Sequence, residues 1–151
     1  MSEIQVIKRD GNKDTLDLEK LHKVVFYACD GINGVSASEV EIKSSLQFYS
    51  GITSSEIQET LIKSAADLIS EEQPNYQWVA GRLICYHLRK MVYGNYEPWH
   101  ILDLIKTNVE EGFYDSSLLD KYTEEEWNEL NSHLRHDRDE TMTYAAMELS
   151  L

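Results

Sequence analysis

The feature that most constrains the fold is the junction between the first residues and the first helix. Ile4-Gln5-Val6-Ile7 is a short β-prone run, Lys8-Arg9-Asp10-Gly11 carries it into an Asp-Gly turn, and Lys13 to Leu16 return. Asp-Gly between two extended runs predicts a tight β-hairpin in which both central residues take positive φ. Asp17 then opens a helix that carries Lys20 in its first turn. A hairpin that ends in adjacent cations and leads straight to a helix N-terminus suits a polyphosphate, because fixed charge, turn amides and a helix dipole converge there. The same residues also describe an ordinary surface hairpin with charged ends.

Beyond the hairpin the chain reads as helices. Leu18, Leu21, Val24-Val25 and Ala28 share one helical stripe, with Asp17 as N-cap and Gly31 and Gly34 closing the segment. Ser36-Ala37-Ser38-Glu39 reads as a capping box for a second helix and Thr53-Ser54-Ser55-Glu56 as one for a third. Ile57, Leu61, Ala65 and Leu68 keep helical spacing down the third, and Pro74 suits the first turn of a fourth, whose Val79, Leu83 and Tyr86 face a common core. Pro98 opens a further helix that closes near Gly112, and Thr123-Glu124-Glu125-Glu126 caps another. The expected fold class is α+β, mostly α: an N-terminal hairpin or small sheet capping four helices, with further helices after them.

Charge excludes one large class of function. The net charge of −13 argues against general nucleic-acid binding, since neutralising a phosphate backbone needs a basic surface. The acids crowd the last third, at Glu110-Glu111, Asp115, Asp120 and Glu124-Glu125-Glu126, where a solvated helix face accounts for them. Lys8, Arg9 and Lys13 stand out against that field. At 151 residues there is room for one compact domain, or a small domain and the opening of another. No apolar run approaches the length of a membrane span, and no basic-then-apolar leader opens the chain. With only Cys29 and Cys85, far apart, there is neither a disulfide framework nor a zinc knuckle, so a cytoplasmic setting is expected.

Val6-Ile7-Lys8-Arg9-Asp10-Gly11 with Asp17-Leu18-Glu19-Lys20-Leu21 resembles the start of an ATP-cone, the allosteric nucleotide-binding module at the N-terminus of ribonucleotide reductase large subunits. The resemblance continues in order through Phe48 to Gln58, through Pro74 to Leu83 and His87-Leu88-Arg89-Lys90, which resemble the last cone helix. Val92 to Pro98 and Asp137 to Tyr144 are similar to the segments beyond the cone in the aerobic, class Ia large subunit. The resemblance implies an ATP-cone over 1–92, then over 93–151 the helical start of the catalytic region, stopping before its barrel.

The same resemblance implies roles for individual residues. Lys8, Arg9, Lys20 and Lys90 match positions around the triphosphate, where Arg supplies a planar fork and Lys a mobile point charge. From spacing alone, Lys20 and Lys90 read as solvent-facing helix residues. Asp14 and Asp17 match positions that recognise the adenine edge, where a carboxylate accepts from the exocyclic amine, although Glu and Asn are commoner there. Leu16 lies between them in the same segment. Ser54, Ile57 and Gln58 match the third-helix wall of the pocket. Ser54 is equally part of the helix cap and Ile57 equally core. Gln58 stands where other members carry an ionisable residue. The implied effector is ATP or dATP, with magnesium carried by the nucleotide, because no carboxylate cluster forms a metal cage.

No catalytic constellation is legible. His22, His87, His100, His133 and His136 read as surface or cap residues, and both cysteines as small hydrophobes inside helices. Reductases of this family need a thiyl-radical cysteine, a redox pair and tail cysteines, which this chain does not contain. The implied function is therefore regulatory: ATP supports activity and dATP commonly inhibits through subunit assembly. The implied partners are the remainder of the large subunit, the radical-generating small (beta) subunit and other copies in a homo-oligomer, with no nucleic acid and no membrane. Two alternatives stand beside this reading. One is an acidic helical module that binds protein and no nucleotide; the other is a cone-type transcriptional regulator lacking its zinc ribbon.

Overall fold

A computed structural model describes residues 3–150. The described residues are mostly helical with a small N-terminal sheet, in the order β1 (Gln5–Ile7), β2 (Lys13–Thr15), α1 (Leu18–Cys29), α2 (Ala37–Ser45), β3 (Ile52–Thr53), α3 (Ser54–Asp67), α4 (Tyr76–Tyr93), α5 (Ile101–Glu110), α6 (Ser117–Lys121), α7 (Glu124–Ser132), a 3₁₀ turn (His136–Thr141) and α8 (Tyr144–Ser150). By their internal contacts they fall into two units, one running up to Leu88 and resuming at Arg138, the other spanning Arg89–Asp137.

In the first unit the hairpin forms as expected, with Gln5 opposite Thr15 and Ile7 opposite Lys13. Its turn departs from the expectation. Gly11 alone takes positive φ, at 84°, and Asp10 does not. The loop spans Lys8 to Asn12 instead: the Lys8 amide donates to Asn12 O at 2.8 Å and the Gly11 amide to Lys8 O at 2.9 Å. Asp10 is held by its own side chain, since its carboxylate accepts from the Asn12 amide at 2.9 Å and the Asn12 side chain at 2.8 Å. That local bond replaces the left-handed conformation a two-residue turn would demand. These same bonds lower the Asp10 pKa, the backbone bond first.

The sheet acquires a third strand that the sequence pattern did not announce. β3 lies parallel to β1, with Val6 beside Ile52 and Ile7 beside Thr53, giving the order β2-β1-β3. Two residues are too few for a periodic signal, so only the pairing reveals it. Val6 and Ile52 point into the core beside Val25, Val40, Leu61, Tyr76, Val79 and Leu83, all fully or nearly fully buried.

Caps define the helix starts. Asp17 accepts from the Glu19 and Lys20 amides at 3.0 and 3.2 Å, and Thr53 and Glu56 close a reciprocal box at α3. At α2 the expected box is one-sided. Ser36 accepts from the Glu39 amide at 3.4 Å, while the Glu39 carboxylate accepts from the buried Tyr76 hydroxyl at 2.6 Å. A buried phenol needs an acceptor more than an exposed backbone amide does, and Glu39 serves it. The α1 stripe is also shorter than expected: Leu21, Val25 and Ala28 are buried, but Leu18 in the first turn is exposed. The core begins one turn inside the helix.

Residues 138–150 return to the first unit. Met147 of α8 is buried among its core residues, with Tyr144 packed against them. In the second unit α5 and α7 pack on one another around Ile105 and Trp127. His100 caps α5 by accepting from the Leu102 amide at 3.1 Å, and Thr123 and Glu126 form the expected box at α7. At short α6 the Asp115 carboxylate accepts from the Ser117 amide at 2.9 Å, an Asx-type start that the sequence reading did not mark. Among the described residues no helix is long and apolar enough to cross a membrane, and no cluster of side chains suits a metal ion.

Candidate functional site

The parallel pairing of β1 with β3 builds the site. Because Ile7 lies beside Thr53, the chain leaves β1 at Lys8 next to the first turn of α3. Ser54, the first residue of α3, donates its hydroxyl to Ile7 O at 3.5 Å. One edge thus joins Lys8 and Arg9 of the loop to Ser54. Lys8 is half-buried and Arg9 exposed.

On α3, Ile57 is 7% exposed and belongs to the core, and Gln58 is half-buried with its amide oxygen shielded from solvent. Asp14 sits in β2 opposite Val6, exposed, its carboxylate accepting from the Thr15 amide at 2.8 Å. Leu16 comes just after β2 and donates its amide to Ile4 O at 2.9 Å, its side chain against the core. Asp17 and Lys20 stand at the start of α1, their charged groups 4.0 Å apart and largely in solvent. The Glu19 and Lys20 amides are taken by Asp17, so the start of α1 offers a phosphate few backbone donors. In the turn, the Lys8, Gly11 and Asn12 amides are likewise used internally. The fixed positive charge here comes from the Lys8, Arg9 and Lys20 side chains. Lys90 lies in the last turn of α4, within the second unit, its ammonium 5.0 Å over the Tyr96 ring.

One residue of this neighbourhood corrects its sequence reading. His87 is not on the surface: it is 8% exposed on α4, and its Nδ1 is buried with no hydrogen-bond partner among the described residues. Burial lowers its pKa; the Glu59 carboxylate opposes that shift and the Arg9 cation adds to it. The other histidines are exposed, cap a helix or flank one, as expected, and His22 Nδ1 donates to the Glu41 carboxylate at 2.7 Å. Cys85 is buried, and burial pushes the half-buried Cys29 thiol up to about 11, leaving it protonated at neutral pH.

The burial of His87 makes stability depend on pH. Its folded pKa lies below the ordinary 6.5, so between the two values the unfolded chain binds more protons. The stability it contributes is therefore full above 6.5 and lost as pH falls through that value toward the folded pKa. Urea midpoints measured from pH 7.5 down to 5.5 should decline, and His87→Gln should flatten the decline.

A cationic loop is thus set against a helix start, on a small sheet over helices. A family model described as the ATP cone domain matches residues 4–91, and the chain belongs to that family. It is 48% identical over 143 residues to ribonucleoside-diphosphate reductase 1 subunit alpha of Escherichia coli (strain K12), covering 95% of this chain and 19% of that protein. It is 46% identical over 145 residues to the alpha subunit of Haemophilus influenzae, covering 96% and 19% respectively. The alpha subunit of Enterobacteria phage T4 is 41% identical over 152 residues, covering 99% and 20%. The chain thus corresponds to the N-terminal part of these subunits and spans about a fifth of their length.

Proposed function

We propose that this chain is an allosteric nucleotide-binding segment of a class Ia ribonucleoside-diphosphate reductase large subunit, taking ATP or dATP with its magnesium. The observation that carries this reading is the edge formed where β1 meets β3, which sets Lys8 and Arg9 beside Ser54 at the start of α3. In this reading residues 1–92 hold the nucleotide and 93–151 lead toward the catalytic region. Lys8, Arg9, Lys20 and Lys90 meet the triphosphate through charge-assisted bonds. Asp14 and Asp17 face the adenine amine, Leu16 and Ile57 supply apolar surface, and Ser54 and Gln58 meet the ribose or a phosphate. Asp17 can serve base and cap together, since its cap uses one carboxylate oxygen. The bound state would be passed to the rest of the large subunit, to the radical-generating small subunit and to the homo-oligomer they form, in the cytoplasm. The chain itself regulates; ribonucleotide reduction belongs to the longer protein.

Calorimetry on the folded chain is the test. Heat of binding is expected with ATP and dATP and weaker binding with GTP, whose carbonyl meets the Asp14 and Asp17 carboxylates unfavourably. A chain that is folded by circular dichroism yet gives no heat with either adenine nucleotide does not bind them, and the proposal then fails.

A further inference from the structure

We propose that residues 138–147 form a strap that fixes the far end of α1 through Arg82, making Arg82 a positioning residue for nucleotide binding. The inference rests on the nucleotide-binding function proposed for this chain.

Three observations within the first unit converge on α4. Arg82 donates from one terminal nitrogen to Asp30 O at 2.7 Å and Ala28 O at 3.4 Å, and from Nε to Glu140 O at 3.3 Å. It therefore ties the C-terminal end of α1 to a segment more than a hundred residues later in the chain. One residue earlier, the strap runs so close to Gly81 that a Cβ there would overlap the Met142 carbonyl oxygen and stand 3.0 Å from the Thr143 carbonyl carbon. Beyond that approach Met147 enters the core, while Tyr86, one turn further along α4, hydrogen-bonds Glu140. The strap is thus gripped at Glu140, Met142 and Met147, outside the stretch 4–91 that defines the family match.

Arginine suits this geometry. Its guanidinium holds five donors in a fixed plane, so one side chain can satisfy carbonyls from two separate segments. A lysine has three donors, but all on one nitrogen, so it cannot reproduce bonds made from Nε on one side and a terminal nitrogen on the other. The grip matters for the site because α1 is a stiff 12-residue rod, about 18 Å long at 1.5 Å per residue. Asp17 and Lys20 stand at one end and the Arg82 clamp at the other. Movement of the clamped end is carried to the end bearing Asp17 and Lys20, and linkage requires the reverse effect: nucleotide at that end must tighten the strap.

Hydrogen exchange on the full chain with and without ATP tests this, with calorimetry in parallel. ATP is expected to slow exchange at the Ala146 and Met147 amides, and Arg82→Ala to abolish that protection and weaken ATP binding about tenfold while helix content stays constant. Arg82→Lys should fall between the two. Should Arg82→Ala fail to fold, the wild-type exchange and Arg82→Lys still decide. ATP that binds the wild-type chain without protecting residues 146–147 overturns the strap, as does Arg82→Ala binding ATP as tightly as wild type. A wild-type chain that binds no ATP overturns the nucleotide reading itself, a result visible before any variant is made.

Discussion

Replacing Lys8 and Arg9 together with alanine is expected to weaken ATP binding by about 3 kcal/mol, roughly a hundredfold in Kd. Charge-assisted hydrogen bonds contribute about 1.5–3 kcal/mol each, and the lower end applies here because Arg9 is exposed and Lys8 only half-buried. The pair also works against the field of the molecule. With a net charge of −13, a triphosphate approaches an already repulsive surface, and these cations are what makes one edge of it receptive. Removing two positive charges anywhere deepens that repulsion, so a matched control is needed. Lys23→Ala with Lys63→Ala makes the same change in net charge on exposed helix positions of α1 and α3. Calorimetry at moderate salt should show the control within about threefold of wild type, since screening cuts long-range effects beyond about 8–10 Å. Equal losses from both double variants would mean that the loop makes no direct phosphate contact.

Gly81→Val is expected to cost the folded chain about 3 kcal/mol, at the upper end of the range for overpacking. Helix propensity alone gives the opposite sign for the smaller change. A glycine inside a helix is about 1 kcal/mol worse than alanine, so Gly81→Ala at an open position would stabilise. Gly81 is not at an open position: the added Cβ meets backbone at Met142 and Thr143, which cannot rotate aside as a side-chain tip would. The clash should outweigh the gain, and Gly81→Ala should destabilise as well, by less than Gly81→Val. Urea unfolding monitored by far-ultraviolet circular dichroism reads both. A stabilised Gly81→Ala would show that the strap does not lie against α4 in solution.

Much of the local structure was legible in the residues because its causes are local. Asp17, Thr53 and Thr123 each place an oxygen where it can accept from the first helical amides, and each helix starts where its cap stands. The hairpin register comes from two short extended runs and the residues between them. Where a local cue had two uses, neighbours in space chose between them. Glu39 had the spacing of a capping box and went to the Tyr76 hydroxyl; Asp10 had the type for a left-handed turn and bonded Asn12 instead.

The candidate site divides along the same line. Lys8, Arg9, Asp14, Asp17 and Lys20 lie within one hairpin-to-helix stretch, so their order in the chain already groups them. Ser54 joins Lys8 and Arg9 through the parallel pairing of β1 with β3, a contact between residues more than forty apart. His87 is buried by packing that its own helical spacing could not reveal, since a lone histidine on a helix face reads alike whether covered or bare. The sequence by itself determined the capped starts of α1, α3 and α7 and the hairpin with its cations, because capping and turn chemistry act over three or four residues. The tertiary structure alone decided the third strand, the burial of His87 and the return of residues 138–147 onto Gly81 and Arg82, because each depends on which distant segments come to occupy the same space.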